Sequence, residues 1–461
     1  MYQRLTLIVT DSLSFINALN SLSINCGILV SEVRHRYGRI VDNGVGVHLW
    51  IPSHIGLEMH DRIDELANYQ HYSFSPIVFS PSASCIKFLE QQAKELDADY
   101  QVIECVPGNP IMVITLVGQD PHLPSLLLNS HTDVVPVFPE NWKYDPFSAH
   151  KDEKGDIYGR GTQDMKCVGI QYIEALKRLR KEGHKFLRTI YISFMPDEEI
   201  GGLDGMKKFV KNDFFKKMNV GFALDEGYAN PTENFTLFYG ERTILWTKVK
   251  CPGNPGHGSQ FLTNTAGEKL QKVINSFLSY RDEQKLLLRD NEELRLGDVT
   301  TVNLTMLKGG VQVNVVPAEL SIYFDIRLAP TEDVRKFEEK IKMWCKSAGD
   351  DVEYEFPLLE DSTQTLTQSL LTCVEDGKNP WWDAFSQACK DEGVKLEKQV
   401  FPAGTDCRYI RELNIPALGF SPMNRTPILL HDHNEFLNEK VFLRGIEIYQ
   451  TIIPALANLK I

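Results

Sequence analysis

An apolar, β-branched run that ends in adjacent acids is the feature that most restricts how this chain can fold. The stretch TIYISFMPDEEIGG, residues 189–202, ends in Asp197, Glu198 and Glu199 followed by two glycines after Ile200. The apolar part is typical of a buried strand. Adjacent carboxylates at the end of such a strand repel one another unless positive charge lies close to them. The fold must therefore bring cationic groups or metal ions to this strand end.

Three more apolar runs end in residue types that bind divalent metals, namely LLLNSHTD, GFALDEG and PILLHDHNE. They supply His131, Asp133, Asp225, Glu226, His431 and His433. Asp164, in YGRGTQDMK, lies on a Gly-rich loop before a long helical pattern. Each motif alone is more typical of a turn or a helix cap. Together, at the carboxyl ends of strands in an open α/β sheet, they predict a divalent metal site.

The order of the patterns predicts the fold class. From about residue 85, helix and strand patterns alternate, which predicts an α/β catalytic domain with a mostly parallel central sheet flanked by helices. From about residue 239, longer strands predict an inserted α+β domain, and FTLFYGERTILWTKVKCPG, residues 235–253, is expected to form one long strand. The predicted segments are an N-terminal fragment, 1–78, the first part of the catalytic domain, 79–238, the inserted domain, 239–356, and the second part of the catalytic domain, 357–461.

Charge and cysteine content restrict the partners and the compartment. A formal net charge of −13 argues against nucleic acid or an anionic membrane surface as the main partner. Nine cysteines, an odd number without a C-x-x-C pair, favour a reducing cytoplasm over a disulfide framework. No apolar run approaches the roughly 18 residues of a membrane helix. The N-terminal stretch, with Asp11 inside its apolar part, is not predicted to be a signal peptide.

A family resemblance rests on motifs that occur in a fixed order along the chain. They are NSHTDVVPV, GRGTQDMKCVGIQY, SFMPDEEIGG, LDEG, GNPGHGS, PAGTDCRYIR and PILLHDHNE. From about Cys85 to the C-terminus, the sequence resembles the di-zinc amidohydrolase and exopeptidase family, and FYGERT favours its aminoacylase branch. The resemblance implies two Zn²⁺ per subunit, a homodimer built through the inserted lid and dimerisation domain, and hydrolysis of N-acyl-L-amino acids. The same ligand types would also accept cobalt or manganese.

The resemblance assigns the metal ligands residue by residue. His131 and Glu226 would bind one zinc, Glu199 and His431 would bind the other, and Asp164 would bridge them. For the histidine of the second site, the choice of His431 over the neighbouring histidine two residues later rests on its spacing of four residues to the glutamate of HDHNE.

The resemblance also assigns catalytic roles. Glu198 would be the general base on a metal-bridging water. Asp133 would orient His131. His257, in NPGHGS, would stabilise the tetrahedral oxyanion from the partner subunit of the dimer, whereas without the family match a loop histidine is favoured.

Five residues are assigned to the substrate by the same resemblance. Asn314 and Arg327 would close over it. Arg408, with the backbone of Gly404 and Thr405, would hold its carboxylate, a role suited to the planar fork of arginine.

The first 78 residues follow a different pattern. VHLWIPSHIGLEMHDRIDELAN resembles the C-terminal part of a retrotransposon ribonuclease H domain, and Asp11, His54 and Asp64 match active-site positions of that family. The leading strand and helix, with their Asp and Glu, are missing. Two-metal phosphodiester cleavage needs that complete carboxylate cluster. We therefore expect no nuclease activity from this truncated fragment.

Other functions follow from different features of the chain. A dipeptidase or another deacylase of the same family would share all the metal motifs. A non-catalytic scaffold would be favoured by loss of Glu198 or of a ligand, and none is lost. A nuclease or nucleic-acid binder would be favoured by a basic surface and a complete N-terminal carboxylate cluster, and neither is found in the sequence.

Overall fold

Helices and strands alternate through most of the chain, as the sequence predicts. A computed structural model describes residues 83–357 and 367–460. The strands are β1 (Asp99–Glu104), β2 (Pro110–Leu116), β3 (Ser125–His131), β4 (His150–Lys151), β5 (Asp156–Tyr158), β6 (Ile190–Met195), β7 (Val220–Asp225), β8 (Phe235–Glu241), β9 (Thr243–Pro252), β10 (Gly256–His257), β11 (Thr301–Gly309), β12 (Val315–Val316), β13 (Glu319–Leu328), β14 (Glu353–Glu355), β15 (Leu396–Phe401), β16 (Ala417–Phe420) and β17 (Phe436–Asn438). The helices are α1 (Ala83–Glu95), α2 (Lys166–Lys181), α3 (Met206–Phe209), α4 (Asp213–Met218), α5 (Ala266–Asp290), α6 (Val334–Ala348), α7 (Pro380–Asp391), α8 (Cys407–Arg411) and α9 (Glu439–Ala457). The interpretation of 1–78 as a ribonuclease H fragment concerns residues outside the described ranges.

The central layer is an eight-stranded sheet with the order β1-β2-β6-β3-β7-β16-β8-β15. The pairs β6–β3, β3–β7, β7–β16 and β15–β8 are parallel, and the remaining pairs are antiparallel. All seven residues of β3 are buried, as expected for a strand covered on both faces. This confirms the predicted α/β class with a mostly parallel central sheet.

Helices cover both faces of this sheet. Helix α2 contributes Tyr172, Ile173 and Leu176 to the core on one face, together with residues of α9. On the other face, α3 and α4 contribute Phe209 and Phe215 to a separate core. Burying one such side chain contributes about 1.5–3 kcal/mol, so these contacts fix the strands that the site depends on.

A second sheet of four strands has the order β11-β13-β9-β14, with every neighbouring pair antiparallel. Helices α5 and α6 pack on it and enclose its own core. In that core the rings of Phe277 and Phe324 stack with centroids 4.0 Å apart. The predicted α+β character of this region is present, while the domain boundaries at 238/239 and 356/357 stay predictions.

The prediction of one long strand over residues 235–253 is wrong. β8 ends at Glu241 and pairs with β15 and β16 in the eight-stranded sheet, whereas β9 begins at Thr243 in the four-stranded sheet. Arg242 stands between them, and its side chain bonds to carbonyl oxygens of Pro402 and Val299. The polar residues Glu241 and Arg242 interrupt the apolar pattern here, a signal that the interpretation as one strand did not use.

Among the helices of residues 83–357 and 367–460, none is long and apolar enough to cross a membrane.

Gly169 gives a stability prediction for the contact between α2 and β3. A Cβ at Gly169 would lie 2.7 Å from Ser130 Oγ and 2.9 Å from Phe194 Cε1. Gly169→Ala should therefore destabilise the fold by about 1–3 kcal/mol through overpacking, which outweighs the roughly 1 kcal/mol that alanine gains in a helix. Urea unfolding would measure this change.

The matched control is Gly267→Ala in α5, where a Cβ would meet nothing within 4 Å. That variant should be as stable as the parent or slightly more stable. Equal stability of the two variants would contradict the packing account of Gly169.

Candidate metal centre

Three neighbouring parallel strands bring their carboxyl ends to one edge of the central sheet. β3 ends at His131, and Asp225 ends β7, with Glu226 directly after it. After β6, the acids Glu198 and Glu199 form a short 3₁₀ turn. The sheet order β6-β3-β7 makes these three ends adjacent. The repelling acids of the sequence thus face other ligand-type residues across the same edge.

The first cluster forms around His131, which is 1% exposed. Its Nε2 lies 3.0 Å from Asp164 Oδ1 and 3.5 Å from Glu226 Oε2. On the other side of the ring, Nδ1 lies 3.0 Å from the carbonyl oxygen of Asp133 and 3.4 Å from its Oδ1. When Nδ1 carries the proton and donates a hydrogen bond to Asp133, the lone pair of Nε2 points at the two carboxylates. This is the tautomer that a metal ligand requires.

The second cluster forms around His431, whose Nε2 lies 2.9 Å from Glu199 Oε2 and 3.1 Å from Asp164 Oδ2. Asp164 therefore presents one oxygen to each histidine. His131, Asp164 and Glu226 form one group of ligand atoms lying within 4.8 Å of one another, and Asp164, Glu199 and His431 form a second such group. This is the arrangement of two metal sites that share one bridging carboxylate.

The expectation that PILLHDHNE ends a strand is wrong, because the described backbone around His431 is a turn and the next strand, β17, begins only at Phe436. In this turn His433 faces another way, with Nε2 3.4 Å from Asn141 Nδ2 and its ring against the edge of Phe138. The geometry groups His431, and not His433, with the acids.

Electrostatics of the site favour cations. Burial, followed by the charge of Glu226, raises the pKa of Glu198 well above 4.5. Burial and Asp164 raise the pKa of Glu226 well above 4.5 and that of Glu199 above it. Contacts with Asp164 and Glu199 raise the pKa of His431 to about 10. In the two ligand groups, three carboxylates face two histidines. The charged forms of these carboxylates are costly at this buried edge of the sheet.

An orphaned oxygen supports the same conclusion. Glu199 Oε1 is buried and has no hydrogen-bond partner. Buried carboxylate oxygens ordinarily have partners. Two imidazole nitrogens and several carboxylate oxygens form a donor set of the kind that Zn²⁺ and related ions prefer. The residues fit a pair of divalent ions.

Asp133 ties the acidic turn to the first histidine. Its Oδ1 accepts the backbone N–H of Glu198 at 3.2 Å, and its Oδ2 accepts that of Glu199 at 3.0 Å. The same carboxylate lies beside His131 Nδ1. One fully buried side chain therefore sets the orientation of a predicted ligand and the position of the predicted base.

Glu435 is a residue to which the sequence interpretation gave only a spacing role. It is fully buried, and it accepts hydrogen bonds from Arg160 Nη1 at 2.7 Å and from the backbone N–H groups of Gly161 and Gln163 at 3.1 and 2.6 Å. These bonds hold the loop that carries Asp164. HDHNE contains no signal for this role, because nothing in the motif marks its last acid as buried.

Gln163 connects the same loop to the segment that carries the second histidine. Its Nε2 donates to the carbonyl of Pro427 at 3.0 Å, and its Oε1 accepts the N–H of Leu429 at 3.0 Å. Asp164 and His431 are thereby held together although they are distant in sequence.

The residues predicted to hold the substrate carboxylate lie beside the acidic turn. Arg408 Nη2 donates to the carbonyl oxygen of Gly201 at 2.5 Å, directly after the 3₁₀ turn. A Cβ at Gly404 would lie 2.4 Å from Arg408 Nη1, so these two residues are in close contact. Thr405 is buried, and its N–H donates to Glu241.

The other three predicted residues are not brought to the clusters. His257 is exposed, with Nδ1 2.8 Å from Ser259 Oγ, and the carbonyl of Asn314 accepts the N–H of Gly258 at 2.8 Å. Arg327 forms a two-bond ion pair with Asp325 at 2.7 and 3.0 Å. Within the described ranges, none of their recorded hydrogen bonds or ion pairs reaches a predicted metal ligand. Their assigned roles stay predictions.

The fold and the paired ligand clusters define the class of protein. They are the arrangement of a dinuclear metallohydrolase. Residues 127–455 match Peptidase family M20/M25/M40. Aminoacylase-1 of Mus musculus is 54% identical over 373 residues, covering 81% of this chain and 90% of that protein. The chain therefore belongs to peptidase family M20/M25/M40, in its aminoacylase-1 group.

Further comparisons agree. Aminoacylase-1 of Homo sapiens is 52% identical over 375 residues, covering 81% of this chain and 90% of that protein. Among solved structures, an M20 family metallo-carboxypeptidase from Sulfolobus solfataricus has a TM-score of 0.63 and 18% identity, over 81% of this chain and 94% of that one. A dinuclear metal binding peptidase of the M20 family from Bacillus subtilis has a TM-score of 0.58 and 14% identity, over 88% of this chain and all of that one.

Metal removal gives a prediction for this site. Chelation should lower the melting temperature, because an ion bound only by the folded state adds about 4 kcal/mol at a concentration a thousand times its Kd. It should also leave the buried acids without countercharge. Calorimetric scans before and after chelation, with metal content measured on each sample, would show the change.

The variant Asp164→Asn should lose most of the difference between the chelated and metal-loaded scans, because Asp164 belongs to both ligand groups. Asp432→Asn, at an exposed neighbour of His431, should keep it. A parent protein that retains no metal and melts identically in both scans would contradict the site.

Proposed function

We propose that this chain hydrolyses the amide bond of N-acyl-L-amino acids, in a metal-dependent reaction that yields a carboxylate and a free L-amino acid. The observation that carries the proposal is the pair of ligand groups sharing Asp164, in a chain at least 52% identical to mammalian aminoacylase-1. Zinc, two ions per subunit, is the proposed metal. The histidine and carboxylate donors suit it.

Two divalent ions, held by His131 with Glu226 and by His431 with Glu199, would polarise the amide carbonyl and lower the pKa of the attacking water. Asp164 would span both. The protein side chains supply the rest of the chemistry.

Glu198 is proposed as the general base. Its backbone N–H is bound by Asp133, and, after burial itself, the charge of Glu226 raises the pKa of its side chain while that of His131 lowers it. Glu198 would accept a proton from the attacking water and then donate it to the departing amine. Burial raises the pKa of this carboxyl, which makes the carboxylate a stronger base toward the proton of the water.

Arg408 is proposed to bind the substrate carboxylate. In the part of the chain that the structure describes, this guanidinium forms no ion pair, and one of its nitrogens is bound only to the carbonyl of Gly201. The guanidinium is partly exposed and lies over the ring of Tyr409. An incoming carboxylate would supply an ion pair, with the backbone at Gly404 and Thr405 beside it.

A homodimer is proposed as the active form. Three side chains around the predicted cross-subunit residues His257 and Asn314 are almost wholly exposed, namely Phe261, Val311 and Val313. An exposed apolar cluster of this kind is typical of a protein contact. Pairing of these surfaces would give His257 a route to the partner's site.

A cytoplasmic location is proposed as well. No disulfide joins the cysteines of residues 83–357 and 367–460. That agrees with a reducing compartment.

The base is tested by Glu198→Gln. Hydrolysis of N-acetyl-L-methionine with added zinc should fall by about 10²–10⁴, because the variant cannot move the proton. Metal content should stay near that of the parent, since Glu198 belongs to neither ligand group. Steady-state kinetics and metal analysis give the two readouts.

The matched control is Glu182→Gln, an exposed acid at the end of α2, which should retain full activity. Full activity in Glu198→Gln would refute the base assignment. A parent enzyme that cleaves L-alanyl-L-methionine but not N-acetyl-L-methionine would favour the dipeptidase alternative.

The cross-subunit role of His257 is tested with mixed dimers. His257→Ala and Glu198→Gln should each be nearly inactive alone. Co-expressed with different tags, they should recover about a quarter of the parent activity, because half of the dimers are mixed and each has one site with both residues intact. No recovery in purified mixed dimers would show that His257 does not act across the interface.

A further inference from the structure

The chain passes from the central sheet to the second sheet through one short connection. β8 ends at Glu241 in the first sheet, and β9 begins at Thr243 in the second. Only Arg242 lies between them. The two residues at this connection, Glu241 and Arg242, are 1% and 5% exposed although both are charged. Such burial requires specific partners.

Both carboxylate oxygens of Glu241 have partners. Oε1 accepts from Arg411 Nη1 at 2.7 Å, and Oε2 accepts the backbone N–H of Thr405. Arg411 also donates twice to the carbonyl of Ala417, at 3.1 and 2.9 Å. Glu241 therefore fixes the peptide at Thr405 against the first strand residue of β16.

Arg242 holds the same loop from the other side. Its Nε donates to the carbonyl of Pro402 at 2.8 Å, and Nη2 bonds to the same oxygen. Its Nη1 donates to the carbonyl of Val299 at 3.2 Å and to Thr301 Oγ1 at 2.9 Å, at the start of β11 in the second sheet. One guanidinium thus joins the loop of residues 402–408 to the second sheet.

Gly404 shows how tightly these groups fit. A Cβ there would lie 2.4 Å from Arg408 Nη1, 3.0 Å from Ile244 Cδ1 and 3.4 Å from Glu241 Oε2. The loop, the side chain of Arg408 and Ile244 of β9 are therefore packed together at Gly404. A shift at the connection would therefore move the loop.

Charge pairing in this region has a consequence for an anionic substrate. Without a cationic partner, the carboxylate of Glu241 beside Thr405 would repel a second carboxylate. The ion pair with Arg411, in which both side chains are nearly fully buried, cancels that charge. Arg408 then remains as the cation available to the substrate.

We propose that Glu241 and Arg242 are positioning residues for recognition of the substrate carboxylate, and that they make the geometry of the 402–408 loop depend on the second sheet. The inference rests on the function proposed above, in which Arg408 binds that carboxylate beside the backbone of Gly404 and Thr405.

The first test is Glu241→Gln, assayed on N-acetyl-L-methionine and on N-acetyl-L-methioninamide, which lacks the carboxylate charge. The parent enzyme should prefer the acid. In the variant the ratio of kcat/KM for acid over amide should fall about tenfold, mainly through KM, which corresponds to about 1.4 kcal/mol of binding. Loss of general stability would lower both rates alike and leave the ratio unchanged.

The control is Glu397→Gln, a partly buried acid on β15 that bonds to Asn230 and Asn234 and touches none of the loop residues described here. Its ratio should match the parent. A parent without preference for the acid would refute the carboxylate recognition in the proposed function, and the inference with it. A parent that prefers the acid, with an unchanged ratio in a folded Glu241→Gln, would overturn the inference alone.

The second test uses Arg242→Gln, which leaves the Glu241–Arg411 pair intact and serves if Glu241→Gln does not fold. Hydrogen exchange is followed in residues 401–408 and 299–309 as L-methionine, the free amino acid product, is added. In the parent, both segments should gain protection together. In the variant, only residues 401–408 should do so. Joint protection in the variant, or protection of residues 401–408 alone in the parent, would overturn the dependence on the second sheet.

Discussion

The site depends on the contacts of one side chain, the carboxylate of Asp164. One oxygen meets His131 at the end of a central strand, and the other meets His431 in a distant turn. Neither histidine could be placed at this distance from a buried acid without a surrounding network, because isolated buried charges are strongly unfavourable. Glu435, Gln163 and Arg160 form that network around the loop that carries the acid. The acids that repel one another in the sequence thus become the reason for the local architecture.

The central part of the site could be predicted from the sequence because it follows from strand order and strand ends. His131, Glu199 and Glu226 each follow a continuous apolar run, and parallel strands place such residues at one edge. Asp164 could be recognised in the sequence as an acid on a Gly-rich loop. The division of ligands between the two clusters came only from the family resemblance, since spacing alone cannot assign a pair of metals. The choice of His431 over His433 rested on the same source.

What could not be predicted depends on contacts between segments far apart in sequence. The break at Arg242 coincides with the polar stretch GERT, but that stretch alone does not show that the chain enters a second sheet. The turn at His431 resembles the end of a strand, since ILL precedes it. The backbone N–H of Leu429 instead donates to the side chain of Gln163. Glu435 looks like a surface acid in HDHNE until Arg160 and the GRG backbone enclose it. The roles of His257 and Asn314 stay predictions, because among the described residues their hydrogen bonds are local to their own loops.

The bond network between Asp164 and the HDHNE segment also bears on how the chain is made. During synthesis the acidic turn, Asp133 and His131 leave the ribosome long before His431 and Glu435. Until those last residues arrive, the Asp164 loop has neither its second imidazole nor the acid that holds its backbone. A nascent chain therefore holds the first ligand group, His131, Asp164 and Glu226, before the second group is complete. Completion of the second ligand group is therefore a late event of synthesis, set by the order of residues along the polypeptide.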